Sequence, residues 1–506
     1  MYNEFTNLEN LQKIMPDANE YTVERIKKLN KIYEAGINPY PYKYFSITHT
    51  KYICDNFDSI SEDETFTLAG RVMLFRRMGK ATFANISDEK GNIQIYFSKS
   101  NLGEESYNIL KLVETGDIIG FSGNAFKTKT GEITIRANSF AILSKAIRNL
   151  PEKYHGIQDS DLKQRHRSLD MIMNPEVKER FIKRSQAMAA LREYLTSLNF
   201  IEMDTPILDT KYGGAEAKPF ITFVNDLDSK VYMTISPEMY LKRLIVGGVE
   251  RVFTISRSFR NEGIDRTHYP EFTLFECYMS FADYNDMMEL MENIYTYVFN
   301  KVNGTTKISY GGKSIDFKAP WKRERMYDLV KKDTGIDVEN LSKDDIIAKI
   351  KNLELLEEEQ NEGLNINEIS KGELVLNLFE GYSEKKLIEP TFVIDFPVES
   401  SPLCKVHRNN PELIERFEPY AYGVELGNAY SELNDPLRQR ALLNEQSSKL
   451  RAGLETASPM DEEFAVAIDT GMPPTGGLGM GLDRMIMFLT NADSIKDVIA
   501  FPLIKR

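Results

Sequence analysis

The chain has 506 residues, which is too long for a single hydrophobic core and predicts two or three domains. Its composition, 42% hydrophobic and 27% charged, is that of a globular protein, and no apolar run approaches the roughly 20 residues that span a bilayer. The net charge of -13 argues against nucleic-acid binding driven by the overall charge of the protein, although local basic patches can still contact phosphates.

The cysteines and the N-terminal residues bear on location. The polar residues 1–12 lack the basic start and apolar run of a secretory signal. Cys54, Cys277 and Cys404 lie far apart in the chain, which argues against a disulfide framework and against a structural zinc site. The sequence therefore predicts a cytoplasmic protein that does not enter a membrane.

Residues 1–64 are predicted to form a helical N-terminal extension. Ile26, Leu29 and Ile32 recur at helical spacing, and Gly36 is a plausible end of the helix. The opposite face is basic and is either a solvated surface or a contact to RNA phosphates; it carries Arg25, Lys27, Lys28 and Lys31.

Residues 65–146 are predicted to form a β-barrel, because the hydrophobic period changes there from helical spacing to strands. The predicted strands are 66–75, 82–86, 92–97, 117–125 and 132–143. Five short strands suit an OB-type barrel, a fold that commonly binds oligonucleotides on its open face.

A charged linker, 147–180, follows the predicted barrel and contains a basic cluster of Arg165, His166 and Arg167. A helix is predicted from 181 to 198, and the alternating strand-like and helical patterns after it predict one large α+β domain over 181–506. Within it, the charged, helix-rich residues 322–375 are interpreted as an insertion on the surface.

Residues 251–280 are predicted to form two strands joined by a loop that contains His268. Arg260 and Glu262 are two residues apart, so the alternation of a strand would place them on one face. The second strand presents one face with two aromatic side chains and a carboxylate, Phe272, Glu276 and Tyr278. These groups either converge on a binding surface or lie on a solvent-exposed sheet face.

A second candidate cluster lies between Glu418 and Glu432. Glu418 and Glu425 are suitable ligands for Mg²⁺, a hard cation that prefers carboxylate and phosphate oxygens. Asn428 and Glu432 share a strand face, whereas Glu425 has the opposite parity, so a shared pocket requires a bulge, for which Gly427 is the predicted place. The alternative is an acidic edge strand at the surface.

A third candidate is the glycine-rich stretch GGLGMGLDR, 476–484, interpreted as a turn that opens a helix. It is not a dinucleotide-binding fingerprint, because only 22 residues follow Arg484, and it is not a P-loop, because no GxxxxGK[ST] is present. Arg484 is the predicted phosphate contact, and the glycines are predicted to allow close backbone approach.

Together these stretches resemble the three signature motifs of class II aminoacyl-tRNA synthetases. The helix 181–198 with Thr205-Pro206 resembles motif 1, SFRNEG (258–263) resembles motif 2, and GLGMGLDR (477–484) resembles motif 3. The chain is similar to the bacterial-type lysyl-tRNA synthetases over nearly its whole length. It matches them also in AGINPYPYKY (35–44), GGAEAKPF (213–220), SPEMYLKRLIVGG (236–248), ELND (432–435) and GMPPTGG (471–477).

The resemblance implies an α+β protein with an N-terminal five-stranded OB-fold barrel and a class II catalytic domain, an antiparallel β-sheet flanked by helices. It implies a homodimer that uses ATP and Mg²⁺ to join L-lysine to tRNA(Lys). The lysine carboxylate attacks the α-phosphate to give lysyl-adenylate and pyrophosphate, and the lysyl group then passes to the 3'-terminal ribose. No general base is required, because the carboxylate is already ionised at neutral pH.

The resemblance also assigns roles to residues of this sequence. The catalytic residues would be Arg260, Glu262 and Arg484, and the ATP-binding residues these three with His268 and Phe272. The lysine-binding residues would be Gly214, Glu238, Arg260, Glu276, Tyr278, Asn428 and Glu432. The Mg²⁺ ligands would be Glu418 and Glu425, and the anticodon-reading residues Phe83, Gln94 and Glu132.

Three other functions fit parts of these observations. An aspartyl- or asparaginyl-type synthetase shares the barrel and the three motifs, but Glu432 and Tyr278 favour a cationic substrate side chain. A lysine ligase acting on a protein would lack the barrel predicted over 65–146. A non-catalytic RNA-binding scaffold would not need the set Arg260, Glu262, Glu418, Glu425 and Arg484.

Overall fold

The computed structural model of the chain describes residues 2–45, 48–151, 160–353, 369–454 and 456–504. The chain forms two compact units, residues 1–158 and residues 159–506. Among the described residues, no helix combines the length and the apolar character that crossing a membrane requires.

The first unit contains a closed five-stranded barrel with strand order β1-β2-β3-β5-β4. Its strands are β1 Thr65–Met78, β2 Ala81–Ser87, β3 Asn92–Ser98, β4 Ile118–Lys127 and β5 Ile133–Ser144. Its helices are α1 Leu8–Gln12, α2 Glu20–Glu34, α3 Thr50–Asn56, α4 Lys99–Leu102 and α5 Glu104–Leu110. Buried and half-buried residues alternate strictly along β2, so the barrel interior is one face of each strand. The predicted barrel fold is confirmed.

Helix α2 differs from the prediction in one charged residue. Arg25 was expected on the solvated or RNA-facing side, but its side chain is buried. It donates hydrogen bonds to the carbonyls of Thr115 and Ala146 and to Oδ1 of Asn149. Arg25 therefore links α2 to the segment before β4 and to the segment after β5. Its donors satisfy carbonyls that would otherwise lie unpaired in the interior.

The second unit is built on a mixed sheet whose central strands are antiparallel. The order is β14-β15-β17-β19-β20-β11-β10-β6, and only the outermost pairs, β14 with β15 and β10 with β6, are parallel. These strands are β6 Ile201–Glu202, β10 Arg251–Phe259, β11 Glu271–Ser280, β14 Lys322–Arg325, β15 Thr391–Pro397, β17 Asn410–Ala421, β19 Gly427–Ser431 and β20 Thr475–Gly481. The shorter strands are β7 Leu208–Asp209, β8 Ile221–Val224, β9 Ser229–Met233, β12 Lys307–Tyr310, β13 Lys313–Asp316, β16 Val406–His407 and β18 Val424–Glu425.

Helices cover both faces of this sheet. They are α6 Ser160–Arg165, α7 Arg167–Met173, α8 Pro175–Ser197, α9 Glu238–Val246, α10 Tyr284–Asn303, α11 Met326–Thr334, α12 Lys343–Asn352, α13 Lys371–Tyr382, α14 Pro436–Arg451, α15 Glu462–Thr470, α16 Leu482–Thr490 and α17 Ile495–Val498. One hydrophobic cluster joins α8, α10 and α16 to sheet residues such as Phe275 and Cys277. A second cluster joins α9, α11, α12, α13 and α15 to the opposite sheet face, where Tyr278 points.

Two segments differ from the sequence-based expectation. Residues 322–375, expected as a surface insertion, supply the edge strand β14 and three helices that bury apolar side chains in the second cluster; residues 354–368 of this segment lie outside the described ranges. The expected linker 147–180 contains α6, α7 and the first turn of α8. Within it, Arg167 is buried and donates hydrogen bonds to the carbonyls of Lys496 and Ala500. These bonds anchor α7 to the C-terminal segment.

Candidate active site

The second unit contains a cavity of about 450 Å³ above the central strands β11, β19 and β20. Every residue predicted for catalysis, ATP, lysine or metal lines it. These are Gly214, Glu238, Arg260, Glu262, His268, Phe272, Glu276, Tyr278, Glu418, Glu425, Asn428, Glu432 and Arg484. Residues separated by up to 270 positions are brought together because β11, β19 and β20 are neighbours in one sheet, and α9 and α16 pack against β11.

The floor of the cavity is the glycine-rich strand β20. The sequence predicted a turn opening a helix here, whereas residues 475–481 form a strand between β11 and β19 that continues into α16. A Cβ atom on Gly477 would overlap the carboxylate of Glu432 and the ring of Tyr278. Glycine is needed at this position because functional side chains from both neighbouring strands lean over the backbone of β20.

Three buried carboxylates line one end of the cavity: Glu238, Glu276 and Glu432, which are 4%, 5% and 1% exposed. Glu276 accepts hydrogen bonds from Oγ of Ser236 at 2.7 Å and from the hydroxyl of Tyr278 at 3.0 Å. Burial, and secondarily the nearby Glu238, raises the pKa of Glu276 to about 8. Tyr278, which was predicted to receive the substrate ammonium together with Glu432, therefore orients Glu276 with its hydroxyl hydrogen.

Glu432 lies beyond the end of β19 and is the most buried of the three. Its Oε1 has no hydrogen-bond partner among the described residues, and its Oε2 contacts the ammonium of Lys242. Burial raises the pKa of Glu432 well above its ordinary value, while Lys242 acts in the opposite direction. A buried oxygen without a partner is the feature expected where a cationic ligand binds.

Gly214 closes the same end of the cavity from a loop. Its φ of +82° is favourable only for glycine, and a Cβ there would lie 2.8 Å from Oγ of Ser236 and 3.0 Å from Cβ of Glu238. The backbone of Gly214 therefore lies against Glu238, where it was predicted to contribute to amino-acid binding.

Arg260 lines the same cavity as these carboxylates. The strand β10 ends at Phe259, so the predicted alternation of Arg260 and Glu262 on one strand face does not apply; both residues lie in the loop that follows. The Arg260 guanidinium is 5.1 Å from the ring centroid of Phe272, and its Nε has no hydrogen-bond partner among the described residues. Burial lowers the pKa of Arg260, whereas Glu425 and Glu262 raise it. It is a half-buried cation that lines the cavity, and its Nε is a donor without a partner among the described residues.

Arg484 links the third candidate stretch, 476–484, to the hairpin loop of 251–280 and to the cluster between Glu418 and Glu432. Its NH1 donates to Oε2 of Glu425 at 3.1 Å, and its NH2 lies 3.1 Å from Nε2 of His268. Because arginine can only donate, Nε2 accepts and Nδ1 carries the hydrogen, directed at Oδ2 of Asp265 at 2.7 Å. Arg484, His268 and Glu425 thus form one connected group at the mouth of the cavity.

Arg416 is a half-buried arginine that sequence reasoning did not assign. Its Nε donates to Oδ1 of Asn428 at 2.9 Å, and its NH2 donates to Oε1 of Glu418 at 2.5 Å. The second oxygen of Glu418 accepts from the hydroxyl of Tyr420 at 2.6 Å. Two residues predicted for different ligands, Asn428 and Glu418, are therefore held by the same guanidinium.

The interruption predicted near Gly427 is present, one residue earlier than expected. Strand β18 ends at Glu425 and β19 begins at Gly427, so Leu426 separates them. This break allows Glu425 to face the cavity together with Asn428 and Glu432, although its sequence parity is opposite.

The outer face of the barrel carries the predicted anticodon residues. Phe83 on β2 is half-buried and lies outside the barrel core, with its ring 5.1 Å from that of Tyr96. Gln94 accepts a 2.9 Å hydrogen bond from Thr134, and Glu132 is exposed just before β5. Further members of this surface, not predicted from the sequence, are Tyr96, Phe126 and Arg136. Aromatic rings beside a guanidinium form the kind of surface on which unpaired bases stack.

Both units match known families. Residues 159–505 match the family of class II tRNA synthetases (D, K and N), and residues 66–143 match the OB-fold nucleic acid binding domain of the tRNA anticodon-binding type. The chain belongs to the class II tRNA synthetase family.

Relatives of this class II synthetase cover nearly all of its length. A lysine–tRNA ligase of Clostridium novyi is 48% identical over 493 residues, 97% of this chain and 95% of the relative. A lysine–tRNA ligase of Thermoanaerobacter sp. is 48% identical over 498 residues, 98% of each chain. One from Clostridium perfringens is 47% identical over 500 residues, again 98% of each.

The carboxylates of this class II synthetase do not form a closed metal site. No group of three or more His, Cys, Asp or Glu side chains in the described part of the chain is arranged to hold a metal ion. Glu418 and Glu425 nevertheless lie near Glu380 and Glu384, and burial together with these neighbours raises the pKa of Glu384 to about 7. Crowded carboxylates suit Mg²⁺, which is usually bound by one or two carboxylates together with substrate phosphates.

Three residues escaped the sequence analysis, although each had a positional signal: Arg416 and Tyr430, which line the cavity of the synthetase, and Lys242, which contacts two of its carboxylates. Lys242 lies four residues after Glu238, the spacing at which side chains meet on a helix. Arg416 and Tyr430 lie two residues before Glu418 and Glu432, the spacing that places strand residues on one face.

Proposed function

We propose that this chain is a lysine–tRNA ligase that activates L-lysine with ATP and transfers it to the 3'-terminal ribose of tRNA(Lys). The observation that carries the proposal is a single cavity lined by three buried carboxylates (its anionic end) and by the cations Arg260 and Arg484 (its cationic end). Such a cavity suits an amino acid with two ammonium groups beside a polyphosphate. Its carboxylates would repel the side chain of aspartate, which disfavours an aspartyl-type activity.

The anionic end would receive the two ammonium groups. Glu238 and Glu276, with the backbone at Gly214, would take the α-ammonium, and Glu432 with its unpartnered Oε1 would take the ε-ammonium. The hydroxyl hydrogen of Tyr278 would orient Glu276, and its hydroxyl oxygen would accept a hydrogen bond from the ε-ammonium. A neutral side chain would leave Oε1 of Glu432 buried without a partner, which supports selection against uncharged amino acids.

The cationic end would hold ATP and the reacting carboxylate. Arg260 would bind the lysine carboxylate and the α-phosphate, and Asn428 would hold the same carboxylate. Glu262, His268 and Arg484 would contact the nucleotide, and Phe272 would stack on the adenine. Fixed charges directed at the developing charge often make the greatest contribution to catalysis.

In the first step, a lysine carboxylate oxygen forms a bond to the α-phosphorus as the bond to the bridging oxygen of pyrophosphate breaks. In the second, the oxygen of a ribose hydroxyl of the tRNA forms a bond to the lysyl carbonyl carbon, AMP leaves with its phosphate oxygen, and the hydroxyl proton passes to the departing phosphate or to solvent. Arg260 would stabilise the charge that develops on the phosphate in both steps. Mg²⁺ held by Glu418 and Glu425 would supply charge neutralisation of the polyphosphate.

The barrel would read the anticodon. Phe83 would stack on a base, and Gln94 and Glu132 would hydrogen-bond its edge, with Tyr96 and Phe126 as further stacking surfaces. This local surface is compatible with RNA binding despite the net charge of -13, because phosphate and base contacts depend on local groups.

The assembly and location are part of the same proposal. We propose a cytoplasmic homodimer. Support for a dimer comes from exposed apolar side chains of β6, β7 and β8, where Ile201, Leu208, Ile221 and Phe223 are 50–61% exposed. Support for a reducing compartment comes from Cys54, Cys277 and Cys404, none of which is paired.

Amino-acid-dependent exchange of pyrophosphate into ATP, measured across the common amino acids with and without tRNA, tests the proposal. Exchange with lysine alone, and aminoacylation of tRNA(Lys), is the expected result. Exchange with aspartate or asparagine in place of lysine would contradict it. Lysine-dependent exchange without any transfer to tRNA would contradict the second step only.

A further inference from the structure

Lys242 is a buried cation to which the proposed reaction gives no role. Its ammonium is fully buried, donates to Oε1 of Glu238 at 2.5 Å and contacts Oε2 of Glu432. Three aromatic rings surround it with centroids 5.4–6.0 Å away, those of Tyr430, Tyr278 and Phe464. A lysine so completely enclosed is rare unless its charge is matched, and here two carboxylates and three ring faces match it.

Lys242 remains charged in this environment. Burial alone lowers the pKa of a lysine, but Glu238 and Glu432 outweigh burial and raise the pKa of Lys242 above its ordinary value. The titratable groups that act on Lys242 or on its two carboxylates come from several elements and are Glu238, Glu276, Tyr278, Cys404, Tyr430 and Glu432. Lys242 is the cation at their centre.

The charges at this end of the cavity can be counted. Glu238, Glu276 and Glu432 contribute three negative charges when ionised, and Lys242 contributes one positive charge. The remainder is two negative charges, which equals the number of ammonium groups on lysine. Without Lys242, three carboxylates would face two ammonium groups, and one carboxyl would need a proton to avoid an unpaired buried charge.

Lys242 also fixes the geometry of the two carboxylates it contacts. Glu238 is on α9 and Glu432 follows β19, so the ammonium ties a helix to the end of a strand. The contact uses Oε2 of Glu432 and leaves Oε1 free. In the empty cavity the same contact prevents the two carboxylates from repelling each other.

We infer that Lys242 is a positioning residue that sets the net charge of the amino-acid pocket, so that it accepts two ammonium groups with all three carboxylates ionised. The inference rests on the proposed function. Lys242 acts through Glu238 and Glu432 and does not touch the substrate.

The test compares the wild type with Lys242→Met and Lys242→Gln in lysine-dependent pyrophosphate exchange between about pH 6 and pH 8. Methionine keeps most of the length and glutamine keeps a donor, so the lost charge is their shared change. In the wild type, the lysine KM should fall as the pH rises, because Glu276 must ionise to receive an ammonium. In both variants it should be at least about tenfold higher at pH 7 and should fall more steeply as the pH rises, because without the ammonium of Lys242 more carboxyls hold a proton in the free enzyme and must release it to receive the ammonium groups of lysine. The ATP KM should stay within about twofold.

Tyr430→Phe is the matched control. It removes the 2.7 Å hydrogen bond to Oε1 of Glu238 without changing the charge of the pocket. It should raise the lysine KM and keep the wild-type steepness of the pH dependence. If Lys242→Met and Lys242→Gln also keep that steepness, or raise the lysine and ATP KM equally, Lys242 has only a structural role and the inference is wrong. If the wild type shows no lysine-dependent exchange, the proposed function fails first.

Discussion

Arg416 donates a 2.9 Å hydrogen bond from Nε to Oδ1 of Asn428, and this bond joins the residue proposed to hold the lysine carboxylate to the guanidinium that also binds a proposed Mg²⁺ ligand. The same guanidinium binds Glu418 through its NH2. Asn428 therefore cannot move independently of a proposed Mg²⁺ ligand.

Arg416→Lys tests this link. Lysine has one point charge and cannot bond Asn428 and Glu418 in the same planar arrangement. Loss of one such charge-assisted bond corresponds to about 1.5–3 kcal/mol, so kcat/KM for lysine should fall about 10–100-fold. The Mg²⁺ concentration for half-maximal exchange should rise in parallel. An unchanged Mg²⁺ requirement would show that Arg416 does not couple Asn428 to the proposed Mg²⁺ ligand Glu418.

Glu432→Gln should raise the lysine KM far more than the ATP KM. The substitution keeps the shape of a side chain that is 1% exposed, but it removes the charge that would pair with the ε-ammonium. A buried charge-assisted bond lost on binding costs about 2–3 kcal/mol, or roughly 30–100-fold in KM. Exchange kinetics with each substrate varied in turn measure both constants. Equal effects on the two constants would contradict a role for Glu432 in lysine selection.

Lysine binding should release a proton at neutral pH. Because the pKa of Glu276 in the empty cavity is about 8, this carboxyl is largely protonated at pH 7, and a bound ammonium favours the ionised form. Affinity for lysine should therefore increase as the pH rises toward 8 and should then level off. Calorimetry in buffers of different ionisation enthalpy gives the number of protons released. In Glu276→Gln this release should be smaller and the overall affinity lower.

The same pKa shift affects stability in the absence of lysine. A carboxyl whose pKa is raised in the folded state favours folding at low pH, and this contribution is lost as the pH rises through the folded-state pKa. Saturating lysine should compensate for that loss at pH 8 more than at pH 6. Thermal unfolding with and without lysine at both pH values measures the difference.

Gly477→Ala should abolish lysine-dependent exchange. A Cβ at this position overlaps the carboxylate of Glu432 and the ring of Tyr278, and neither can move away without leaving the pocket. Gly213→Ala is a suitable control near the cavity, since its Cβ would meet nothing closer than 3.6 Å. Comparable losses in both variants would indicate a general packing defect. Thermal unfolding of each variant separates that outcome from a local effect.

Phe83→Ala should weaken aminoacylation of tRNA while leaving pyrophosphate exchange intact, because Phe83 is on the barrel and the exchange reaction does not require tRNA. Stacking of one base on an aromatic ring is worth about 1–3 kcal/mol, so the tRNA KM should rise roughly 5–150-fold. Phe83→Tyr keeps the ring and should retain most of the affinity. Loss of both activities in Phe83→Ala would instead indicate that the ring is part of the fold.

The sequence predicted the five barrel strands and the residues that meet in the cavity, because both depend on local period and on recognisable motifs. It did not predict that 475–481 is a strand, since glycine has low strand propensity and only the side chains from β11 and β19 require glycine there. Lys242 and Arg25 were not recognised as buried, because a charged residue at helical spacing is usually solvated and its partners come from distant parts of the chain. Residues 322–375 resemble a surface insertion because their high charge can be read from the sequence. Their packing against β15 cannot be read from it.

Strand β11 borders two environments of opposite character. Glu276 and Tyr278 face the cavity, while Phe275 and Cys277 pack into the first hydrophobic cluster. Adding or deleting one residue in this strand would exchange the two sets and place a carboxylate in the core. Variation in length among homologous chains should therefore be confined to the loop before β11 and the turn after it, while the strand itself keeps its ten residues without insertion or deletion.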